Sequence, residues 1–376
     1  MQLAELLYLT FQKGASDLIL KVGTPPALRL QGNLVPLELP VLSSEDTKRF
    51  AVDIMTKEQL ERFRRERELD MACSIANLCR FRASVFFQRN EFGLVFRMVP
   101  NRIPTVDELN LPIVCKNLAM RPRGLILVTG PAGCGKSTTI AAIVETRNSN
   151  QDCHIVTIED PIEFIYQDKK AEINQREVGK DTHSFTNALK SVLRQDPDMI
   201  VIGEMRDLET IQLAITAAET GHLVLSTLHT TDSMQTIDRI VEVFPPHQQA
   251  QVRMQISGNL LAVLSQVLPK RADGKGRVVA YELMLINSAI RNLIREDKIH
   301  QIYGAMQVGQ EKFGMQTFNQ SLASLFFKKA ISLEVAMARS SNADELQDMI
   351  NRGQAAAAPG AAPAGAGRPA ASALRR

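Results

Sequence analysis

Little in this chain points to a membrane span, a disulfide framework or a nucleic-acid channel. No apolar run is long enough to cross a bilayer, and Met1-Gln2-Leu3-Ala4-Glu5 lacks the basic start and small-residue cleavage site of a secretory leader. A cytoplasmic location with no transmembrane segment is therefore expected. The 5 cysteines (Cys73, Cys79, Cys115, Cys134, Cys153) are odd in number and scattered without a CxxC pair, which suits a reducing compartment and excludes a four-thiolate zinc site. Basic residues (44) nearly balance acidic ones (41), and aromatics make up only 5%, which leaves neither the charge footprint nor the stacking platform of a nucleic-acid binder. No direct nucleic-acid partner is expected. What is present is 376 residues of ordinary globular composition, 45% hydrophobic, enough for two domains with real cores.

The pattern along the chain is α/β, with a smaller α+β domain first. Within residues 1–100, Leu3 to Phe11 has apolar residues at helical spacing, and Asp17 to Val22 and Ala27 to Leu30 read as strands around the turn Gly23-Thr24-Pro25-Pro26. One helical, charge-rich stretch is expected from Ser43 to Arg67. A hairpin follows, with Phe81, Ala83, Val85 and Phe87 on one face of its first strand and Phe92, Leu94, Phe96 and Met98 on one face of its second. That periodicity turns Arg80, Arg82 and Arg97 to the other side. Pro100, Pro104, Pro112 and Pro122 mark an irregular linker over 101–123.

From 124 to 353 the chain reads as a second domain. Leu125 to Val128, Ile155 to Ile158, Met199 to Ile202 and Leu223 to Leu225 are short continuous apolar runs, as expected of parallel strands buried on both faces. Phe185, Leu189, Val192 and Leu193, and then Ile211, Ile215 and Ala218, supply helical stripes between them. Residues 354–376, mostly Ala, Pro and Gly, bury too little apolar area to offset their ordering entropy and are expected to be a flexible tail.

Gly130-Pro131-Ala132-Gly133-Cys134-Gly135-Lys136-Ser137 fits GxxxxGK[ST] between a strand and a helix, and with Thr138 it is the expected nucleotide-binding segment. Glycines let successive N–H groups curl around phosphate oxygens, and the helix N-terminus adds its dipole. Lys136 should reach the β- and γ-phosphates of ATP while Ser137 ligates Mg²⁺. Cys134 sits beside Lys136 and the helix start, which makes it the expected reactive thiol unless its side chain points away and packs.

The remaining chemistry should lie at the other strand ends. Gly203-Glu204 follows Met199 to Ile202 and gives a Walker B type carboxylate for Mg²⁺, expected to act through water. Glu159-Asp160-Pro161-Ile162-Glu163 offers three carboxylates, one of which could orient the attacking water. His222 and His229 bracket the strand at Leu223, and either could sense the γ-phosphate.

The run Leu193-Arg194-Gln195-Asp196-Pro197-Asp198-Met199-Ile200-Val201-Ile202-Gly203-Glu204-Met205-Arg206-Asp207 resembles the signature of the type II secretion and type IV pilus ATPase superfamily. The acidic box Glu159 to Glu163 and the histidine box Gly221 to Thr230 are similar to the same superfamily. Gly14 to Leu18 and Ala289 to Glu296 narrow the resemblance to its pilus retraction group, the PilT motors. It implies a homohexamer of RecA-like ATPase domains, each with a PAS-like N-terminal domain, acting on the inner-membrane pilus platform from the cytoplasmic face. It also implies Glu163 as catalytic glutamate and Glu204 as Walker B residue. Arg82 and Arg97, with Arg80, would reach the nucleotide from the N-terminal domain, and they are expected to complete a neighbouring subunit's site. Cys134 and Cys79 depart from the family pattern, where Ser or Thr and Gly are usual, without removing a needed group. Extension and secretion ATPases would share the phosphate contacts. They usually carry a further N-terminal domain and a tetracysteine module, and neither is evident here. A non-hydrolysing accessory ring is the alternative of another class, and Glu163 and Glu204 speak against it.

Overall fold

Alternation of apolar and polar residues in the first hundred positions produces an antiparallel sheet with one face in the core. A computed structural model of the chain describes residues 2–30, 32–75, 79–99 and 102–357. Its first sheet contains β1 (Asp17–Lys21), β2 (Ala27–Leu30), β3 (Asn33–Pro36), β4 (Glu68–Ile75), β5 (Cys79–Gln88) and β6 (Glu91–Val99), in the order β3-β2-β1-β6-β5-β4. Across the hairpin β5–β6, Phe81 pairs with Met98, Ala83 with Phe96, Val85 with Leu94 and Phe87 with Phe92. These pairs join one core with helices α1 (Leu3–Gln12), α2 (Ser44–Ile54) and α3 (Lys57–Glu66), where Phe63 stacks on Phe87 at 4.9 Å and on Phe92 at 5.4 Å. On the opposite face Arg82 lies directly across from Arg97.

The helical stretch expected over Ser43 to Arg67 is two helices. The Thr56 hydroxyl accepts from the Gln59 N–H while the Gln59 side chain accepts from the Thr56 N–H, a capping box that starts a new helix after Met55. The segment 101–123 is not all irregular: α4 (Val114–Ala119) forms there, and Val106, Leu111, Cys115 and Leu118 are buried against the second sheet.

That sheet comprises β7 (Gly124–Thr129), β8 (His154–Glu159), β9 (Glu172–Glu177), β10 (Met199–Ile202), β11 (Leu223–Leu228), β12 (Leu260–Val267) and β13 (Ala280–Leu285), ordered β13-β12-β7-β11-β10-β8-β9. All neighbours are parallel except β13, which pairs antiparallel with β12. Helices α5 (Lys136–Asn150), α6 (Phe185–Val192), α7 (Leu208–Glu219), α8 (Ser233–Glu242), α9 (Pro246–Asn259) and α10 (Ser288–Arg295) cover it. Period-two alternation splits the apolar runs between two cores: Leu125, Leu127, Ile200, Ile202 and Val224 pack to one side, and Ile126, Val128, Met199, Val201 and Leu225 to the other. Each such side chain contributes about 1.5–3 kcal/mol by leaving water, so the strand ends are held firmly.

Beyond β13 the chain adds α11 (Ile302–Val308), whose Ile302 and Met306 join the core of the second sheet, and α12 (Gln310–Phe313), then α13 (Phe318–Phe327), α14 (Leu333–Met337) and α15 (Ala343–Ala357) around a small core of Leu322, Ala336, Leu346 and Ile350. Helix α15 continues past 353, where the tail was expected to begin, and residues 358–376 of that segment lie outside the described residues. Among the described residues no helix is long and apolar enough to cross a membrane. Parallel pairing of β7, β11, β10 and β8 brings their carboxyl ends, and the motifs that follow them, to one rim of the sheet.

Candidate nucleotide-binding site

Between β7 and α5 the backbone takes left-handed conformations at Gly130 (φ 137°), Gly133 (φ 73°) and Gly135 (φ 91°). At Gly130 glycine is required twice over, because a Cβ there would stand 2.3 Å from the Gln266 carbonyl oxygen. Lys136 Nζ donates to the carbonyls of Gly130 (2.7 Å) and Pro131 (3.2 Å) and lies 3.5 Å from His229 Nδ1. The ammonium is thus folded back on its own loop, positioned to exchange carbonyl oxygens for phosphate oxygens. Ala132, Gly133, Gly135, Lys136, Ser137 and Thr138 line a cleft of about 630 Å³, while Gly130, Pro131 and Cys134 form the loop without lining it.

Of the two arrangements open to Cys134, the structure shows the packed one. Its thiol is only 3% exposed and faces the loop's back, close to Gly130. Burial pushes the thiol pKa up, and this outweighs the opposing field of Lys136. Gln266 on β12 braces the same loop and went unnoticed in the sequence. Its Nε2 donates to the Cys134 carbonyl (2.7 Å), its Oε1 accepts from the Thr139 hydroxyl (2.9 Å), and it is 1% exposed. Nothing local marks it, since the contact spans 132 residues.

Glu204, at the end of β10, lines the cleft with one oxygen 2.7 Å from Arg206 Nε and 3.2 Å from His229 Nε2. Partial burial works against its charge, but Arg206, His229 and Lys136 together hold the carboxyl below its ordinary pKa. Glu159, at the end of β8, accepts from Thr157 Oγ1 (2.6 Å) and Gln175 Nε2 (3.2 Å), yet burial raises its pKa. Glu163 is exposed to the cleft on a segment pinned by buried Ile162 and Phe164. Carboxylates of both kinds therefore face the phosphate loop.

His229 joins the site and His222 does not. His222 precedes β11 at the amino end of the sheet, where its Nδ1 lies 2.9 Å from the Ala217 carbonyl oxygen and 3.3 Å from Thr220 Oγ1. A strand places the residues before and after it at opposite rims, so the pair His222 and His229 cannot both face the nucleotide of this chain. Arg82 and Arg97 line the same cleft as the P-loop of their own chain. Arg82 reaches Asp70 (3.4 Å) and Arg97 reaches Asp17 (2.9 Å). Arg80 turns elsewhere, to Glu177 at 3.0 Å. Two further cleft arginines were missed: Arg206, two residues beyond Glu204 in the signature, and Arg277, which follows β12 and carries no recognisable local signal.

The sequence pattern described as "Type II/IV secretion system protein" matches residues 113–325. The chain belongs to this family. Within the family, the type IV pilus retraction ATPase PilT of Pseudomonas aeruginosa is 48% identical over 336 residues, covering 89% of this chain and 97% of that protein. A twitching motility protein of Neisseria gonorrhoeae is 47% identical, covering 85% and 86%. A crystal structure of the pilus retraction motor PilT with bound ADP matches with a TM-score of 0.87 at 45% identity, covering 93% of this chain and 99% of that one. The motif-based resemblance to retraction motors and the α/β fold with a smaller N-terminal domain agree with these matches.

Proposed function

We propose that this chain is a motor ATPase that hydrolyses ATP to drive retraction of a type IV pilus. The observation that carries the reading is one cleft into which the phosphate loop, Glu163, Glu204, His229 and the N-terminal arginines Arg82 and Arg97 all open. Lys136 leaves its loop carbonyls for the β- and γ-phosphates, and the glycine-rich backbone supplies N–H donors to the remaining oxygens. Glu163 accepts the proton of the attacking water. Ser137 and Glu204, a hydroxyl and an ionised carboxylate lining the same cleft, are the donors suited to Mg²⁺, which when bound neutralises phosphate charge. His229, between Glu204 and Lys136, senses the γ-phosphate. Arg82 and Arg97 cover the charge that develops on the transferred group.

The working form is a homohexamer at the cytoplasmic face of the inner membrane, docked on the pilus platform protein. The near-full-length likeness to PilT supports this assembly over an extension or secretion motor. Glu163→Gln and Glu204→Gln proteins should still bind ATP while turnover falls about 10²–10⁴-fold, and Lys136→Ala should lose binding. Near-normal turnover by purified Glu163→Gln protein would move the base to Glu159 or Asp160. Cells lacking the protein should carry excess pili and not twitch; bald cells would reverse the assigned direction.

A further inference from the structure

Glu177 closes β9 at the far edge of the second sheet and does not line the cleft, yet three groups converge on its carboxylate. One oxygen accepts from Arg80 Nη2 at 3.0 Å and from the backbone N–H of Ile162 at 3.3 Å. The other lies 2.5 Å from Lys180 Nζ. Glu177 is 4% exposed, so this is not a screened surface pair of small consequence. Arg80 belongs to β5 of the N-terminal sheet, whereas Ile162 immediately precedes Glu163. A single buried oxygen therefore joins the N-terminal domain to the backbone that carries the proposed base. Arg80 Nε is also buried and has no hydrogen-bond partner among the described residues, so nothing on that nitrogen competes with Glu177 for the guanidinium.

We propose that Glu177 is a positioning residue for Glu163, and that through Arg80 it makes the placement of the catalytic segment depend on the placement of the N-terminal domain. The inference rests on Glu163 being the base. With Arg80 in place, one oxygen is drawn toward the N-terminal sheet and the Ile162 N–H is held with it. When the N-terminal domain withdraws Arg80, Lys180 remains as the cation on the carboxylate and turns the group toward itself, carrying the other oxygen away from Ile162. The Ile162 N–H then loses its well-placed acceptor, and the segment beside it is free to shift. Motion of one domain against the other would thereby switch hydrolysis without any change in the phosphate loop.

The test uses full-length protein carrying Arg80→Ala, Arg80→Lys or Glu177→Gln. The expected result is that Arg80→Ala and Glu177→Gln each lower kcat at saturating Mg-ATP about tenfold, with KM and ADP affinity within about twofold of wild type, since a displaced base slows chemistry without weakening binding. Arg80→Lys should recover most of the loss. Hydrogen exchange at the Ile162 amide in nucleotide-free protein should speed up in both damaging variants. A merely structural contact would lower the unfolding midpoint and leave kcat and this amide unmoved. Should Glu177→Gln not fold, Arg80→Ala decides alone. An unchanged kcat in Arg80→Ala, or unchanged exchange at Ile162, overturns the proposal. Glu163→Gln measured alongside separates the two readings: its retained turnover removes the base assignment, while the Ile162 amide still reports whether Glu177 and Arg80 hold the segment.

Discussion

Glu159 and Glu204 face the same cleft from the ends of β8 and β10, yet their surroundings push their protonation in opposite directions. Glu204 has cations around it and stays ionised into acid, as a group that must hold a metal or phosphate-facing partner requires. Glu159 is buried, and the nearby charge of Glu163 adds to the cost of ionising it. A carboxyl whose pKa is raised on folding binds its proton more tightly in the native state, so its ionisation opposes folding. That penalty is absent below the ordinary value of 4.5, grows as pH rises through the raised value, and is complete above it. Glu159→Gln keeps an oxygen for the Thr157 and Gln175 donors and removes the charge. Its unfolding midpoint should exceed that of wild type at pH 7, and the gain should shrink as pH falls toward 4.5. A gain independent of pH, or a loss at pH 7, would show that the Glu159 charge is not what burial penalises. Cys134 shows why such environments are hard to read in advance. Its neighbours in sequence, Lys136 and the start of α5, favour a thiolate, but side-chain direction in this loop follows from Gly133 and Gly135 in left-handed conformations. They turn the sulfur inward, against Gly130 and under Gln266 of a distant strand.

At the scale of elements, the strands that announced themselves were those buried on both faces: β7, β10 and β11 are buried throughout and read as continuous apolar runs. Strand β9, Glu-Ile-Asn-Gln-Arg-Glu, lies at the edge and needs only alternate residues inside, so hydrophobicity gave no sign of it. The break between α2 and α3 was written in Thr56 and Gln59 but outweighed by the apparent helical period around them. Helix α10 presents both kinds of information. Ile290 and Ile294 are fully buried, so its apolar face belongs to the core; Ile294→Ala should cost about 2–5 kcal/mol in chemical denaturation. The other face carries Arg291, whose Nε donates to the Ser257 carbonyl at 2.9 Å, and exposed Arg295. Replacing Arg291 and half-buried Leu293 by Ala removes one hydrogen bond, worth about 0.5–1.5 kcal/mol, and some packing. The double variant should remain a folded ATPase yet fail to retract pili, because α10 carries most of the Ala289 to Glu296 segment by which the chain resembles retraction motors, and that segment is expected to couple the motor to its load. Wild-type twitching by cells carrying it would remove that role from α10.

At the scale of the molecule, the cleft belongs to two domains at once, and the charge of the N-terminal wall is the clue to what it holds. Arg82 and Arg97 are directly opposite across β5–β6, an arrangement that repels unless anions intervene. Asp70 takes Arg82, and buried Asp17 takes Arg97 together with Arg29, yet the Arg82 and Arg97 side chains stay 42% and 71% exposed and free to meet a further anion. Both guanidiniums line the space above Lys136, so a polyphosphate in the cleft relieves the repulsion that the sheet builds in. The hairpin face and the arginine types were legible in the sequence; which chain's nucleotide they serve was not, because that depends on how 101–123 folds back. α4 and its flanking residues pack against the second sheet, and within this chain the hairpin arginines and the P-loop line one cleft. Arg82→Ala should therefore lower kcat/KM about 10²–10³-fold, as expected for loss of a preorganised cation facing developing charge. Mixing Arg82→Ala protein with Lys136→Ala protein distinguishes the two geometries within the proposed hexamer. If each arginine serves its own chain, no subunit in a mixed ring has both Arg82 and Lys136 at one site. Activity should then stay at the weighted sum of the two parents at every ratio. Recovery above that sum would mean that Arg82 reaches across to a neighbour, and the cleft seen within one chain would not be the site that fires.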